Sequence, residues 1–215
     1  MAIGEHWEWR GFGSLSPAVR ARIETLPLKF PEPQRITDEY FWLPGVRINV
    51  KLRKDGALES LKFKRLLETS RGIEKWHERA EETYPFPLEP AVVEKLFLEL
   101  GLPPPESPAP ARDAAEALLA LRRLAPSVAR VVVDKIRWQR EWPGADPGGG
   151  QRRVIIEVAE ISHPERITSV GIEDGAVEAV EAARSALGLP AGLRTLNYLD
   201  ALGVWALGGR IASSP

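Results

Sequence analysis

Cysteine is absent from the 215-residue chain, which excludes disulfides, thiolate metal sites and a cysteine nucleophile. Histidine is scarce: His77 and His163 have no partner at a ligand spacing, and His6 by itself reads as a strand surface residue. Long apolar runs are missing too. The stretch Ala201–Gly209 near the end is far short of the roughly 20 residues a membrane-spanning helix needs. Behind MAIGEHWEWR no apolar run follows a basic start, so a signal peptide is not expected and a cytoplasmic location is. Charge of one sign is lacking as well: 29 Lys and Arg stand against 30 Asp and Glu, a formal net charge of −1. A general nucleic-acid binder would be basic overall, so nucleic acid is not the expected partner, and the cations matter through their placement.

That placement is clearest in Val46–Leu66. Val46, Ile48, Val50 and Leu52 alternate with Arg47, Asn49, Lys51 and Arg53, the period of a strand with one apolar and one cationic face. Lys54-Asp55-Gly56 supplies a hairpin turn. On the return, Leu61 and Phe63 alternate with Lys62 and Lys64. Like charges opposite each other across strands are destabilising, so this face needs either open solvent or an anion. Alternation alone leaves both readings standing: an open sheet with a solvated face and surface ion pairs, or cations converging on a bound polyanion.

Further strands are expected at Gly4–Gly13, where His6, Glu8 and Arg10 face away from Trp7 and Trp9, and at Gln34–Leu43. Others fall at Val131–Trp142 (Val133, Lys135, Arg137 and Gln139 on one face), Arg152–Ile161 (Arg153, Ile155 and Glu157 on one face) and Ile167–Glu173. Helices are expected from Pro17 to about Thr25, over Pro90–Leu100, Ala114–Leu124 and Asp174–Leu187, and over Leu193–Leu207, where Gly203 is a candidate break. Thr69–Glu82 fits a strand and a helix equally. Residues 102–112, with five prolines, read as a mobile loop, and 143–150 as a Gly-rich hairpin loop. At 44% hydrophobic and 27% charged, the composition suits a single soluble domain over 1–215.

In order and spacing these segments resemble the CYTH superfamily, the triphosphate tunnel metalloenzymes that include class IV adenylyl cyclases and thiamine triphosphatases. The resemblance is carried by Asp38-Glu39-Tyr40-Phe41, by Val50-Lys51-Leu52-Arg53 with Asp55-Gly56 and Leu61-Lys62-Phe63-Lys64, and by Asp134-Lys135-Ile136-Arg137. It continues through Arg153–Glu157, Ala179–Leu189 and Asn197-Tyr198-Leu199-Asp200-Ala201-Leu202. Each pattern is short; the full order is the more specific signal. It implies an α+β fold, a closed antiparallel β-barrel forming a tunnel with helices packed outside.

It further implies that Lys51, Arg53, Lys62, Lys64, Lys135, Arg137 and Arg153 bind phosphate, that Glu8 and Arg10 serve catalysis, and that Glu8, Glu157 and Glu173 hold Mg²⁺ or Mn²⁺. The activity implied is metal-dependent hydrolysis of a triphosphate compound. The alternative is a tunnel that binds phosphorylated small molecules without efficient turnover, with a homodimer left open. Two departures bear on this choice. The family's Glu-x-Glu-x-Lys strand reads His6, Glu8, Arg10 here, and its later Glu-x-Glu reads Gly171-Ile172-Glu173. The basic half of the pattern is therefore better kept than the acidic half.

Overall fold

A computed structural model describes residues 4–55, 58–145, 151–190 and 192–211. Its first half contains β1 (Glu5–Gly13), α1 (Pro17–Glu24), β2 (Gln34–Trp42), β3 (Ile48–Asp55), β4 (Leu58–Ser70), β5 (Ile73–Pro85), α2 (Pro90–Glu99) and α3 (Ala114–Leu124). The second half contains β6 (Ala129–Ala145), β7 (Gln151–His163), β8 (Ile167–Asp174), α4 (Val177–Leu187), β9 (Leu193–Thr195) and α5 (Tyr198–Ala206). The sheet runs β5-β4-β3-β2-β6-β7-β8-β1, and a further β5–β1 pairing joins its two ends. Eight antiparallel strands thus form a ring, with β9 added beside the second half of β1. Closing the ring removes the open edges that would otherwise invite pairing with another chain.

Strand alternation gives the ring two faces of opposite character. On the outside, Val50, Leu52, Leu61 and Phe63 pack under α2 and α3 with Val93, Leu96, Phe97, Ala117 and Leu121. Trp9, Val154, Ile156, Val170 and Ile172 pack under α1 and α4 with Val19, Ile23, Val180 and Ala183. The helices begin where the sequence provides caps: Ser16 accepts from the Val19 N–H ahead of Pro17, and Asp113 accepts from the Glu116 N–H. Gly188, at φ 71°, ends α4 in the left-handed region that favours glycine.

At one end the inward face is apolar. Phe12, Val131, Val133, Ile161 and Ile167 meet Tyr198, Ala201, Leu202 and Trp205 of α5 in a buried cluster. Helix α5 therefore stoppers that end, and Asn197 caps it by accepting from the Asp200 N–H. The rest of the inward face is polar.

Several local expectations change. Thr69–Glu82 resolves as a β-turn region and strand: β5 runs Ile73–Pro85, and its pairing with both β4 and β1 overrides the helical propensity of its second half. Strand β6 continues through Trp142 to Ala145, so part of the expected loop 143–150 is ladder, while 146–150 lie outside the described residues. The expected helix Leu193–Leu207 begins only at Tyr198, because Leu193–Thr195 pairs with Gly11–Gly13. Helix α4 starts at Val177, after β8 has used Asp174. The Asp-Gly turn of the central hairpin falls on Gly56, outside the described residues.

Candidate functional site

The polar inward face surrounds a cavity of about 540 Å³, within the range of small-molecule sites. Nine of its lining side chains are Lys or Arg and six are Asp or Glu, so the interior carries an excess of positive charge. Each strand contributes at period two: His6, Glu8 and Arg10 from β1; Asn49, Lys51 and Arg53 from β3; Lys62 and Lys64 from β4. Trp76 and Glu78 come from β5, Lys135, Arg137 and Gln139 from β6, Glu157 from β7 and Glu173 from β8. A second hollow, of about 840 Å³, sits among Arg35, Thr37, Asp134, Ser162 and Arg166. Its charges are balanced, three cations against three carboxylates, and one of those carboxylates, Asp134, already accepts from Thr37 Oγ1 at 2.6 Å.

The cavity divides into two regions. In the first, Glu8 and Glu157 are each paired with two cations. Arg10 Nε lies 2.5 Å from Glu8 Oε1, its Nη1 3.2 Å from Glu157 Oε1 and 2.9 Å from Ser169 Oγ, and its Nη2 3.7 Å from Glu173 Oε1. Lys64 Nζ donates to Glu8 Oε2 at 2.5 Å, and Arg137 Nη1 to Glu157 Oε2 at 3.2 Å. Burial opposes ionisation of Glu8, but Arg10 and then Lys64 outweigh it and hold its carboxyl well below the usual range. Glu157 is likewise held low against burial by Arg10, Lys135 and Arg137. Glu173 goes the other way: burial and the neighbouring Glu8 push it up to about 7.

In the second region cations are in excess. Lys51 and Lys62 stand directly opposite each other in the β3–β4 register, and neither ammonium has a hydrogen bond or ion pair among the described residues. Arg53 and Lys135 share the single carboxylate of Asp38, at 3.1 and 3.2 Å, and Tyr40 donates to the same group at 3.4 Å. Asp38 is fully buried and stays ionised because Lys51, Lys135 and Arg53 outweigh the cost of burial. Burial pulls Lys51 down to about 8, the sign of a cation held without enough counter-charge.

Of the residues expected from sequence, Glu8, Arg10, Lys51, Arg53, Lys62, Lys64, Lys135, Arg137, Glu157 and Glu173 all meet in this cavity. Arg153 sits at its rim: its side chain is 68% exposed and pairs with Glu141 at 2.6 Å. His6, expected on a strand surface, is turned inward, and burial followed by the Lys64 charge lowers its pKa. Glu8, Glu157 and Glu173 do converge, but on the guanidinium of Arg10. Their oxygens are already neutralised by Arg10, Lys64 and Arg137, and among the described residues no three His, Asp or Glu side chains are placed to share a metal ion. This donor set does not fit Mg²⁺ or Mn²⁺, which require several free oxygen ligands.

Asp38, Asn49, Glu74 and Tyr198 were missed as site residues. Asp38 and Tyr40 alternate on β2 and could have been placed on one face; Glu74, Trp76 and Glu78 alternate on β5 once that segment is taken as a strand. Glu74 stands opposite Glu8 in register, is buried, and is pushed up to about 8 by burial and by Glu8. Tyr198 comes from α5, whose position across the ring no local pattern encodes; its ring lies 5.3 Å from both Arg10 Cζ and Lys135 Nζ.

No protein-family model matches the chain, and no curated protein matches it at a significant level. Among solved structures it is similar to a conserved hypothetical protein from Pyrococcus furiosus, with 18% identity, 90% of this chain and 98% of that one covered, and a TM-score of 0.51. A protein from Pyrococcus horikoshii OT3 gives 16% identity over 90% of this chain and 98% of its own, with a TM-score of 0.49. The likeness is one of fold. No helix among the described residues is long and apolar enough to cross a membrane.

Proposed function

We propose that the ring is a CYTH-like barrel and that its interior binds a small phosphorylated anion, with two or more linked phosphates, beside Lys51 and Lys62. The observation that carries this reading is that pair: two lysines face each other across β3–β4, turned into the cavity, and among the described residues neither ammonium has a hydrogen bond or a contact ion pair. Holding them so costs free energy in the empty protein. An anion recovers that cost and adds charge-assisted hydrogen bonds. Arg53, whose Nε and Nη2 are engaged by Asp38, adds a permanent positive charge beside the pair, while lysines act as point charges that tolerate different phosphate positions.

Metal-dependent hydrolysis, which the family resemblance implies, is the weaker reading, because the three glutamates that would hold the metal are engaged by Arg10, Lys64 and Arg137. Positioning an anion needs none of them free.

The test is calorimetric titration of tripolyphosphate and of orthophosphate into the wild type and into a Lys51→Met/Lys62→Met variant, with phosphate release measured in parallel. Tripolyphosphate should bind at least tenfold more tightly than orthophosphate, and the double variant should lose that preference. Equal binding by both proteins would remove the lysine pair as the site. Rapid phosphate release by the wild type would restore the hydrolase reading.

A further inference from the structure

Gly171, one of the departures from the family pattern, sits beside Arg10, which stands where that pattern has lysine. Arg10, Gly171 and Glu157 occupy one row across β1, β8 and β7, with Arg10 opposite Gly171 and Gly171 opposite Glu157. Glycine inside a strand has no side chain to pack and weakens the strand. Here its bareness has a use. A Cβ at position 171 would stand 2.7 Å from Arg10 Nη2 and 3.0 Å from Arg10 Cζ. Arginine side chains ordinarily swing away from such a contact. This one is held by Glu8, Glu157, Glu173 and Ser169 through all three of its nitrogens, and it is only 5% exposed. Gly171 thus opens the lane through which the guanidinium reaches Glu157.

We propose that Arg10 is a built-in cation that occupies the centre of the carboxylate cluster, so that the anion site works without a divalent metal and the cluster has no affinity for one. This rests on the anion-binding reading above and deepens it. The guanidinium gathers the carboxylates of Glu8, Glu157 and Glu173, which repel one another when ionised. Its own charge is permanent and its nitrogens are donors only. With the carboxylates held away from the second region, Lys51 and Lys62 are left to meet the ligand. Arg10 is accordingly a positioning residue; the ligand contacts fall to the lysines.

The experiment uses the full chain in metal-free buffer with a chelator. Tripolyphosphate is titrated with and without Mg²⁺, and separately Mn²⁺ alone is titrated into the wild type, Arg10→Ala and Gly171→Ala. The proposal expects wild-type affinity for tripolyphosphate to change less than threefold on adding chelator. It expects no heat of Mn²⁺ binding to the wild type at micromolar to sub-millimolar metal. In Arg10→Ala, Glu8, Glu157 and Glu173 lose the cation they share, leaving Glu8 with Lys64 and Glu157 with Arg137, and Mn²⁺ should both bind and raise the melting temperature. Gly171→Ala, which keeps every charge, should instead weaken the hold of Arg10 and allow weaker Mn²⁺ uptake than Arg10→Ala, a result that a merely structural role for Arg10 would not produce.

Should Arg10→Ala fail to fold, Gly171→Ala and the wild-type titrations decide the matter. Tight Mn²⁺ binding by the wild type, or tripolyphosphate binding only when Mg²⁺ is present, overturns the proposal while leaving the anion site intact. Absence of tripolyphosphate binding under every condition sinks the underlying reading instead.

Discussion

The two regions of the cavity are built from the same residue types and behave in opposite ways. Around Arg10, charges are interlocked: Nε and Nη1 donate to carboxylates, Nη2 lies 3.7 Å from Glu173, and Glu8 and Glu157 each take a second cation. Around Lys51 and Lys62, cations face cations, and the nearby carboxylate of Asp38 is already shared by Arg53 and Lys135. Buried charges are tolerated when paired and are costly when not. The difference therefore separates a region of interlocked charges from one with cations in excess, where the proposed anion would bind.

Stability should divide along the same line, and this is the largest effect expected. Arg10→Ala leaves buried carboxylates without their partner and should cost about 3–5 kcal/mol, as breaking other buried charge networks does. Lys62→Met removes a like-charge contact and should leave stability unchanged or raise it by up to about 1 kcal/mol. Urea unfolding of the two variants measures both. Equal losses would mean that Lys62 has a partner in solution and that the two regions are alike.

A smaller effect is expected with pH. Lys51 titrates near 8 because burial disfavours its charge, and Glu173 near 7 because burial and Glu8 disfavour its ionisation. Lowering pH from 9 to 6 therefore charges Lys51 and neutralises Glu173 and also Glu74, which is pushed up to about 8, making the interior more positive by up to three charges. Anion affinity should rise over that window. Lys51→Met should flatten the upper part and Glu173→Gln the lower part, which also separates the effect from titration of the ligand itself. For the fold the sign is opposite to that of a paired carboxylate: the folded chain keeps the Glu173 proton after the unfolded chain has lost it, so this group's contribution to stability falls as pH rises from about 4.5 through 7. Affinity that is flat from pH 6 to 9 in the wild type would contradict the assignment of both groups.

The inward faces were legible because period two is a geometric necessity in a strand, and the charged residues of β1, β3, β4, β6, β7 and β8 obey it without interruption. What alternation cannot give is the closure of the ring. The β5–β1 pairing joins Glu74 to Glu8 from segments 66 residues apart in sequence, and β5 itself was half hidden by helix-forming residues around Glu78–Glu82. The partners of each charge were also out of reach. In sequence Arg10 reads as a catalytic cation, by resemblance to the family strand; only the register that sets it over Gly171 turns it toward Glu157. Likewise Asp38 reads as a strand residue until the β2–β3 and β2–β6 ladders bring Arg53 and Lys135 to it. The short β9 was absorbed into an expected helix because three residues carry too little pattern to stand out.

The most direct test is a crystal structure of the wild-type chain with tripolyphosphate, grown without divalent metal. The account predicts phosphate oxygens within hydrogen-bond distance of both Lys51 and Lys62 inside the ring, with Arg10 still bound to Glu8 and Glu157. Phosphates on the outer surface, or seated among Glu8, Glu157 and Glu173 with Arg10 displaced, would contradict it.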